Sequence, residues 1–158
     1  MSRTPSDVAR AIAQVALGAA LLGAGTAHLT TQRREFQTQV PSWIPLDADA
    51  VVVGSGVVEL SLGAALLGIW RHPERRRLGL LVAAFFVAVF PGNIAQLVEH
   101  RDAFGLDTDR KRALRLLGQP AIVAWALAAT GSAKSLIGSS RSAALPSAAD
   151  HSLTTEPV

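Results

Sequence analysis

Four long apolar runs, joined by connections that carry most of the charge and proline, set the pattern of this chain. Residues 11–29 read AIAQVALGAALLGAGTAHL, residues 51–70 read VVVGSGVVELSLGAALLGIW, and residues 78–97 read LGLLVAAFFVAVFPGNIAQL. The fourth run, LLGQPAIVAWALAAT, is short, so its helix is expected to start near residue 114 and end at 130. About 20 apolar residues at helical rise cross a hydrocarbon core roughly 30 Å thick. Backbone groups find no water at that depth, so such runs must satisfy themselves as helices. The pattern predicts an all-α, integral membrane four-helix bundle over residues 11–131. A polar leader, 1–10, precedes it, with Ser6 or Asp7 as candidate helix caps. A Ser/Ala/Pro-rich tail without periodicity, 132–158, is expected to be disordered.

The connections differ in character. Residues 30–50, TTQRREFQTQVPSWIPLDADA, form a long interfacial link in which Pro41 and Pro45 flank Trp43. Proline removes donors and pushes the preceding residue to extended geometry. Trp43 then serves either as an interfacial anchor over the bundle mouth or as a buried side chain of an ordinary loop. Residues 71–77, RHPERRR, make a tight turn with four arginines, and residues 98–115 are rich in both signs of charge. Pro91-Gly92-Asn93 is expected to break the third span near its far end. Ala16, Ala20 and Ala24 recur four apart in the first span and point along the chain to His28, a row suited to close helix approach. Gly25-Thr26-Ala27 also resembles a signal-cleavage site, an alternative that the three later spans argue against.

Composition sharpens this only in places. Of 158 residues, 49 % are hydrophobic, yet Lys+Arg exceed Asp+Glu by 15 to 12. The basic residues lie in short clusters between apolar runs, as membrane-flanking loops do, which argues against nucleic acid as a partner. There is no cysteine, so thiolate catalysis, cysteine-ligated metals and disulfides are excluded. With the N-terminus inside, basic residues divide eight inside to seven outside. The short arginine turn tips the expectation to a multi-pass cell-membrane protein with both termini inside.

Candidate chemistry sits in one half of the bilayer. Glu59 is a lone carboxylate in the middle of the second run, where ionisable groups cost on the order of 2.5–3.5 kcal/mol. Antiparallel spans place His28, Glu59, Asn93, Gln96 and Gln119 on four helices toward the same side. Spacing also puts Asn93, Gln96 and His100 on one helix face, and Ser55 and Gly63 make a small-residue stripe around Glu59. Glu59 and His28 are the candidate catalytic pair; Asn93, Gln96, Gln119 and Trp43 are candidate ligand-binding residues. Blander roles stay open: His28 as an interfacial polar group, Asn93 as a cap, Gln119 as interhelical glue. No metal set forms, because His72 lies in the opposite loop from His28 and His100.

The order of G-T-A-H-L, V-P-S-W-I-P, G-S-G-V-V-E-L, F-P-G-N-I-A and L-G-Q-P over residues 18–131 resembles the DoxX-like family of small four-span bacterial membrane proteins. That resemblance implies a four-helix bundle and a link to quinone-dependent redox subunits. The leading expectation is a membrane subunit, tied to an oxidoreductase, that holds a quinone or other lipophilic molecule around Glu59. Its partners would be membrane lipid, that small molecule, and a soluble or membrane redox protein. Two alternatives stand beside it: a non-catalytic assembly protein, and a lipid isomerase using Glu59 and His28 as acid and base.

Overall fold

The computed structural model describes residues 4–133. Within them the chain forms α1 (Pro5–Leu29), α2 (Arg33–Gln37), α3 (Ala48–Gly68), α4 (Glu74–Ala88), α5 (Phe90–Val98) and α6 (Asp109–Thr130), with no strand. Helices α1, α3 and α6, and α4 and α5 taken together over Glu74–Val98, are each long and apolar enough to cross a membrane. The tail expected over 132–158 lies, beyond residue 133, outside the described residues.

Local chemistry sets the helix ends. Thr4, rather than Ser6 or Asp7, is the N-cap of α1. Its hydroxyl accepts from the Asp7 amide, and the Asp7 carboxylate accepts from the Thr4 amide, a reciprocal box that satisfies two orphan donors. Asp47 and Thr108 cap α3 and α6 in the same sense. Gly131, at φ +76°, ends α6 in the left-handed conformation that costs glycine little. The break in the third span falls at Val89, two residues before Pro91. Pro91 cannot donate to the carbonyl four residues earlier, so the ladder fails upstream of the ring. Pro120 sits inside α6 without ending it.

Helices α1 and α3 form the closest pair. Their buried seam runs Gln14, Gly18, Leu21, Gly25, His28 on α1 and Val52, Gly56, Glu59, Gly63, Leu66 on α3. Both rows step by four, three, four and three, the alternation that keeps two helices facing over many turns. The expected row of Ala16, Ala20 and Ala24 is not this seam: Ala16 and Ala20 are exposed and Ala24 is half-buried. A row spaced by four drifts about 40° round the helix at each step, because 3.6 residues make a turn. Glycines hold the backbones together instead. A Cβ on Gly25 would lie 2.8 Å from the Gly56 carbonyl oxygen, and one on Gly63 would lie 2.9 Å from that of Gly18. Such close approach is what drives association in lipid, where apolar burial gives no net force.

Leu17, Leu21, Leu66, Leu78, Val82, Ala83 and Ala126 make one tight cluster in the half of the bundle that holds the α3–α4 turn. Val57, Val58, Leu81, Val87 and Leu117 project outward from the helices, as side chains that face acyl chains do.

Candidate functional site

His28 occupies the last turn of α1, and Glu59 the facing position on α3. Nδ1 of His28 lies 2.8 Å from Oε2 of Glu59 and 2.9 Å from the Ala24 carbonyl oxygen. Both side chains are about nine-tenths buried. A carbonyl oxygen can only accept, so Nδ1 carries the hydrogen and, in the neutral ring, Nε2 is the basic nitrogen. The approach to Glu59 is close but poorly aligned. Oε2 is left buried without a hydrogen-bond partner among the described residues. A buried carboxylate oxygen in that state is costly, and its neighbour of opposite character is a single imidazole.

The short helix α2 folds over this pair. Phe36 stacks on the His28 ring, with centroids 3.3 Å apart and planes 17° from parallel. The edge of Phe104 meets Phe36 at 4.6 Å, and the Arg115 guanidinium lies 4.8 Å above Phe104. Helix α2 is held to α3 by Arg33, which pairs with Asp49, and by Gln37, whose amide donates to the same carboxylate at 2.6 Å. That hydrogen-bonded carboxylate holds the Arg33 guanidinium above its ordinary range.

Beside His28 lies a cavity of about 170 Å³, walled by His28, Phe36, Gln39, Pro41, Ser55 and Val89 among others. Its roof is the proline-rich link. Arg101 donates to the carbonyls of Thr38 and Val40 at 2.8 and 2.9 Å and ties the roof to the far side of the bundle. Gly92 lets it lie close, since a Cβ there would come within 3.1 Å of the Gln39 carbonyl. Val40, Pro41 and Ile44 face the cavity, whereas Trp43 is 58 % exposed and lies outside the lining. Of the two roles open to Trp43, the exposed one is what the link adopts.

The remaining polar candidates separate. Gln96 is buried, accepts from the Gln39 amide at 2.8 Å and donates to the Ala103 carbonyl, so it stands one residue behind the cavity wall. Asn93 is half-buried, away from the lining. Gln119 donates to the Phe86 carbonyl at 3.2 Å, just before the α4–α5 break, and borders a different, apolar groove of about 440 Å³. His100 does not share a helix face with Asn93 and Gln96. Helix α5 ends at Val98, and His100 turns out at φ +51° to meet Asp109. Among the described residues, no group of three His, Asp or Glu side chains is placed to hold a metal ion.

Sequence reasoning missed Phe36 and Gln39, which reach the site only through the fold of the link. It also passed over a second polar cluster at the other end of the bundle. Gln14 is fully buried and donates to the carbonyls of Leu66 and Ile69 at 2.7 and 3.0 Å. Arg75 donates to the Gln14 side-chain oxygen and, at 2.7 Å, to the Ala129 carbonyl. An amide near the start of the first apolar run was the available signal for it.

Comparison with known proteins adds one relationship. The model of a family described as a domain of unknown function (DUF8561) matches residues 17–130, and no DoxX-family match accompanies it. No curated protein and no solved structure matches the chain. The chain belongs to the DUF8561 family, and it is a multi-span membrane protein.

Proposed function

We propose that this protein binds a single-ring lipophilic molecule with an ionisable oxygen, a quinone or quinol above all, and that His28 and Glu59 handle its proton. One observation carries the reading: a buried carboxylate oxygen lacking a donor stands 2.8 Å from a histidine that lines a ring-sized cavity. An apolar cavity of about 150 Å³ accommodates one benzene ring. The space here therefore suits a head group, and any isoprenoid tail must pass out into lipid. Nδ1 faces Ala24 and Glu59, so Nε2 is the atom left to meet a ligand. A quinol hydroxyl would give its proton to Nε2, leaving a phenolate and an imidazolium, and Glu59 would stabilise the imidazolium from behind. Gln39 and Ser55, both in the lining, are the polar groups nearest to hand for a ring oxygen. The pair moves a proton and no electron, so oxidation to the quinone requires a separate redox partner. The motif order that resembles DoxX-like proteins supports the same ligand class.

The test uses full-length protein in mild detergent. Co-purifying lipids are identified by mass spectrometry, and binding of decylubiquinol is titrated in wild type, Ser55→Leu and Glu59→Gln. Ser55→Leu fills the cavity and should lose the ligand; Glu59→Gln should keep the space but weaken binding of the ionising quinol more than that of the quinone. Equal quinol binding by all three proteins would overturn the reading and leave the polar pair as a device of assembly.

A further inference from the structure

The turn between α3 and α4 carries Arg71, Arg75, Arg76 and Arg77 in seven residues, with Glu74 as its one acid. These arginines do two different things. Arg75 points inward to Gln14 and the Ala129 carbonyl, and its guanidinium lies 5.7 Å from the centre of the Trp70 ring. Arg71, Arg76 and Arg77 are exposed and make no ion pair among the described residues. The opposite end of the bundle is unlike this. There Arg33, Arg101, Lys111 and Arg112 each pair with a carboxylate of the chain itself. Arg34 and Arg110 are exposed there without an ion pair among the described residues, but they stand on separate elements. Arg71, Arg76 and Arg77 instead leave one seven-residue turn together, a density of positive charge that attracts an anion.

The rim is also at the right level and rigidly held. Trp70 ends the second apolar run, and Trp125 donates its indole N–H to the Ala13 carbonyl one residue from Gln14. Both rings are partly exposed, as are tryptophans that sit among head groups. Arg75 pins the turn to α1 and α6, and the buried Ser132 hydroxyl donates to the Arg76 carbonyl at 2.8 Å. The three free guanidinium groups therefore leave from a fixed backbone. Guanidinium matches phosphate oxygens in a two-pronged geometry, and basic side chains beside a span draw anionic lipid.

We infer that this turn is a binding surface for anionic phospholipid, its phosphate held by Arg71, Arg76 and Arg77 beside Trp70. The surface is independent of the His28 cavity, which opens at the other end of the bundle. The protein is placed in nanodiscs of equal parts phosphatidylcholine and phosphatidylglycerol, and the lipid it retains on gentle release is counted by native mass spectrometry. Wild type should be enriched in phosphatidylglycerol, and added salt should erode the enrichment. At roughly fivefold per basic residue near an anionic surface, the triple Arg71→Gln, Arg76→Gln, Arg77→Gln protein should lose at least about tenfold. The matching triple lysine protein should keep most of the preference. Arg34→Gln with Arg110→Gln, at the far rim, should retain it in full. Undiminished enrichment in the glutamine triple, or an equal loss in the far-rim control, would overturn the assignment. Full displacement by inorganic phosphate would do the same, since it would mark a site for small anions rather than a lipid surface.

Discussion

The two polar clusters of this bundle lie at opposite ends of the same helix pair and have opposite standing. At the α3–α4 end, Gln14 uses its amide hydrogens on two carbonyls and its oxygen on Arg75, which also serves Ala129. Thr130 and Ser132 donate their hydroxyl hydrogens to the carbonyls of Ala126 and Arg76, and the two hydroxyl oxygens lie 2.8 Å apart. An aliphatic cluster lies in the same half of the bundle, and among the described residues no buried side-chain polar atom at this end lacks a partner. At the other end, the Glu59 oxygen nearest His28 has no hydrogen bond, and a cavity opens beside the ring. Lipid penalises unsatisfied polar groups more than water does. A cluster that is fully paired there adds to the stability of the fold; an unpaired buried oxygen subtracts from it.

This contrast is broken or sharpened by substitution, and the largest effect belongs to the satisfied end. A Cβ on Gly79 would lie 1.8 Å from Thr130 Oγ1 and 2.4 Å from Ser132 Oγ. Neither hydroxyl can retreat without breaking its own bonds. Gly79→Ala should therefore lower stability by about 3 kcal/mol or more, at or beyond the top of the usual overpacking range. Gly23→Ala, where nothing lies within 4 Å of the added methyl, should instead gain about 0.5–1 kcal/mol from helix propensity. Thermal midpoints in one detergent compare the two directly.

Next in size, Arg75→Met removes the donor from the Gln14 oxygen and from the Ala129 carbonyl and should cost about 1–3 kcal/mol. Glu59→Gln should change stability by less than about 1 kcal/mol, because the oxygen beside His28 forfeits no hydrogen bond and a neutral amide is cheaper to bury. Removing one partner of a buried ion pair that serves the fold costs about 3–5 kcal/mol. A loss of that size on Glu59→Gln, matching or exceeding Arg75→Met, would erase the distinction between the two ends.

How far the sequence could reach follows from what periodicity encodes. Glu59 was legible because a carboxylate amid twenty apolar residues is costly wherever the helix points. His28 was legible as its partner because antiparallel spans fix depth. Depth is one coordinate, however, and says nothing of the angle round each helix axis. Gln119 lies in the expected half of the bilayer but is turned to α4 and the lipid-side groove; Asn93 is near the break and off the lining. The true seam lay in an alternating four-three spacing of Gly18, Gly25, Gly56 and Gly63, which a row of alanines at steps of four conceals. Phe36 and Gln39 belong to a link whose path is set by Arg33–Asp49 and by Arg101 on its carbonyls, contacts 16 and more than 60 residues apart. No local pattern contains them.

The smallest effect tests the rim at the His28 end, where Arg33, Arg101, Lys111 and Arg112 are paired within the chain. Asp107 lies outside the helices and accepts from the Lys111 ammonium at 2.7 Å. That hydrogen bond and the accompanying charge hold the Asp107 carboxyl below its ordinary range. A carboxyl whose folded value is depressed favours the native state above the unfolded value, and that contribution fades as pH falls through the folded one. Both groups are exposed, so salt should screen the effect. Lys111→Met should return the Asp107 titration, followed by carboxyl carbon chemical shift, toward the ordinary carboxylate value, and should leave the thermal midpoint at neutral pH nearly unchanged. The same probe on wild type at high salt should move partway in the same direction. A large loss of stability in Lys111→Met would mean that the rim pairs do for the His28 end what Gln14 and Arg75 do for the other. The open carboxylate beneath them would then be the exception within a braced end, and not its general character.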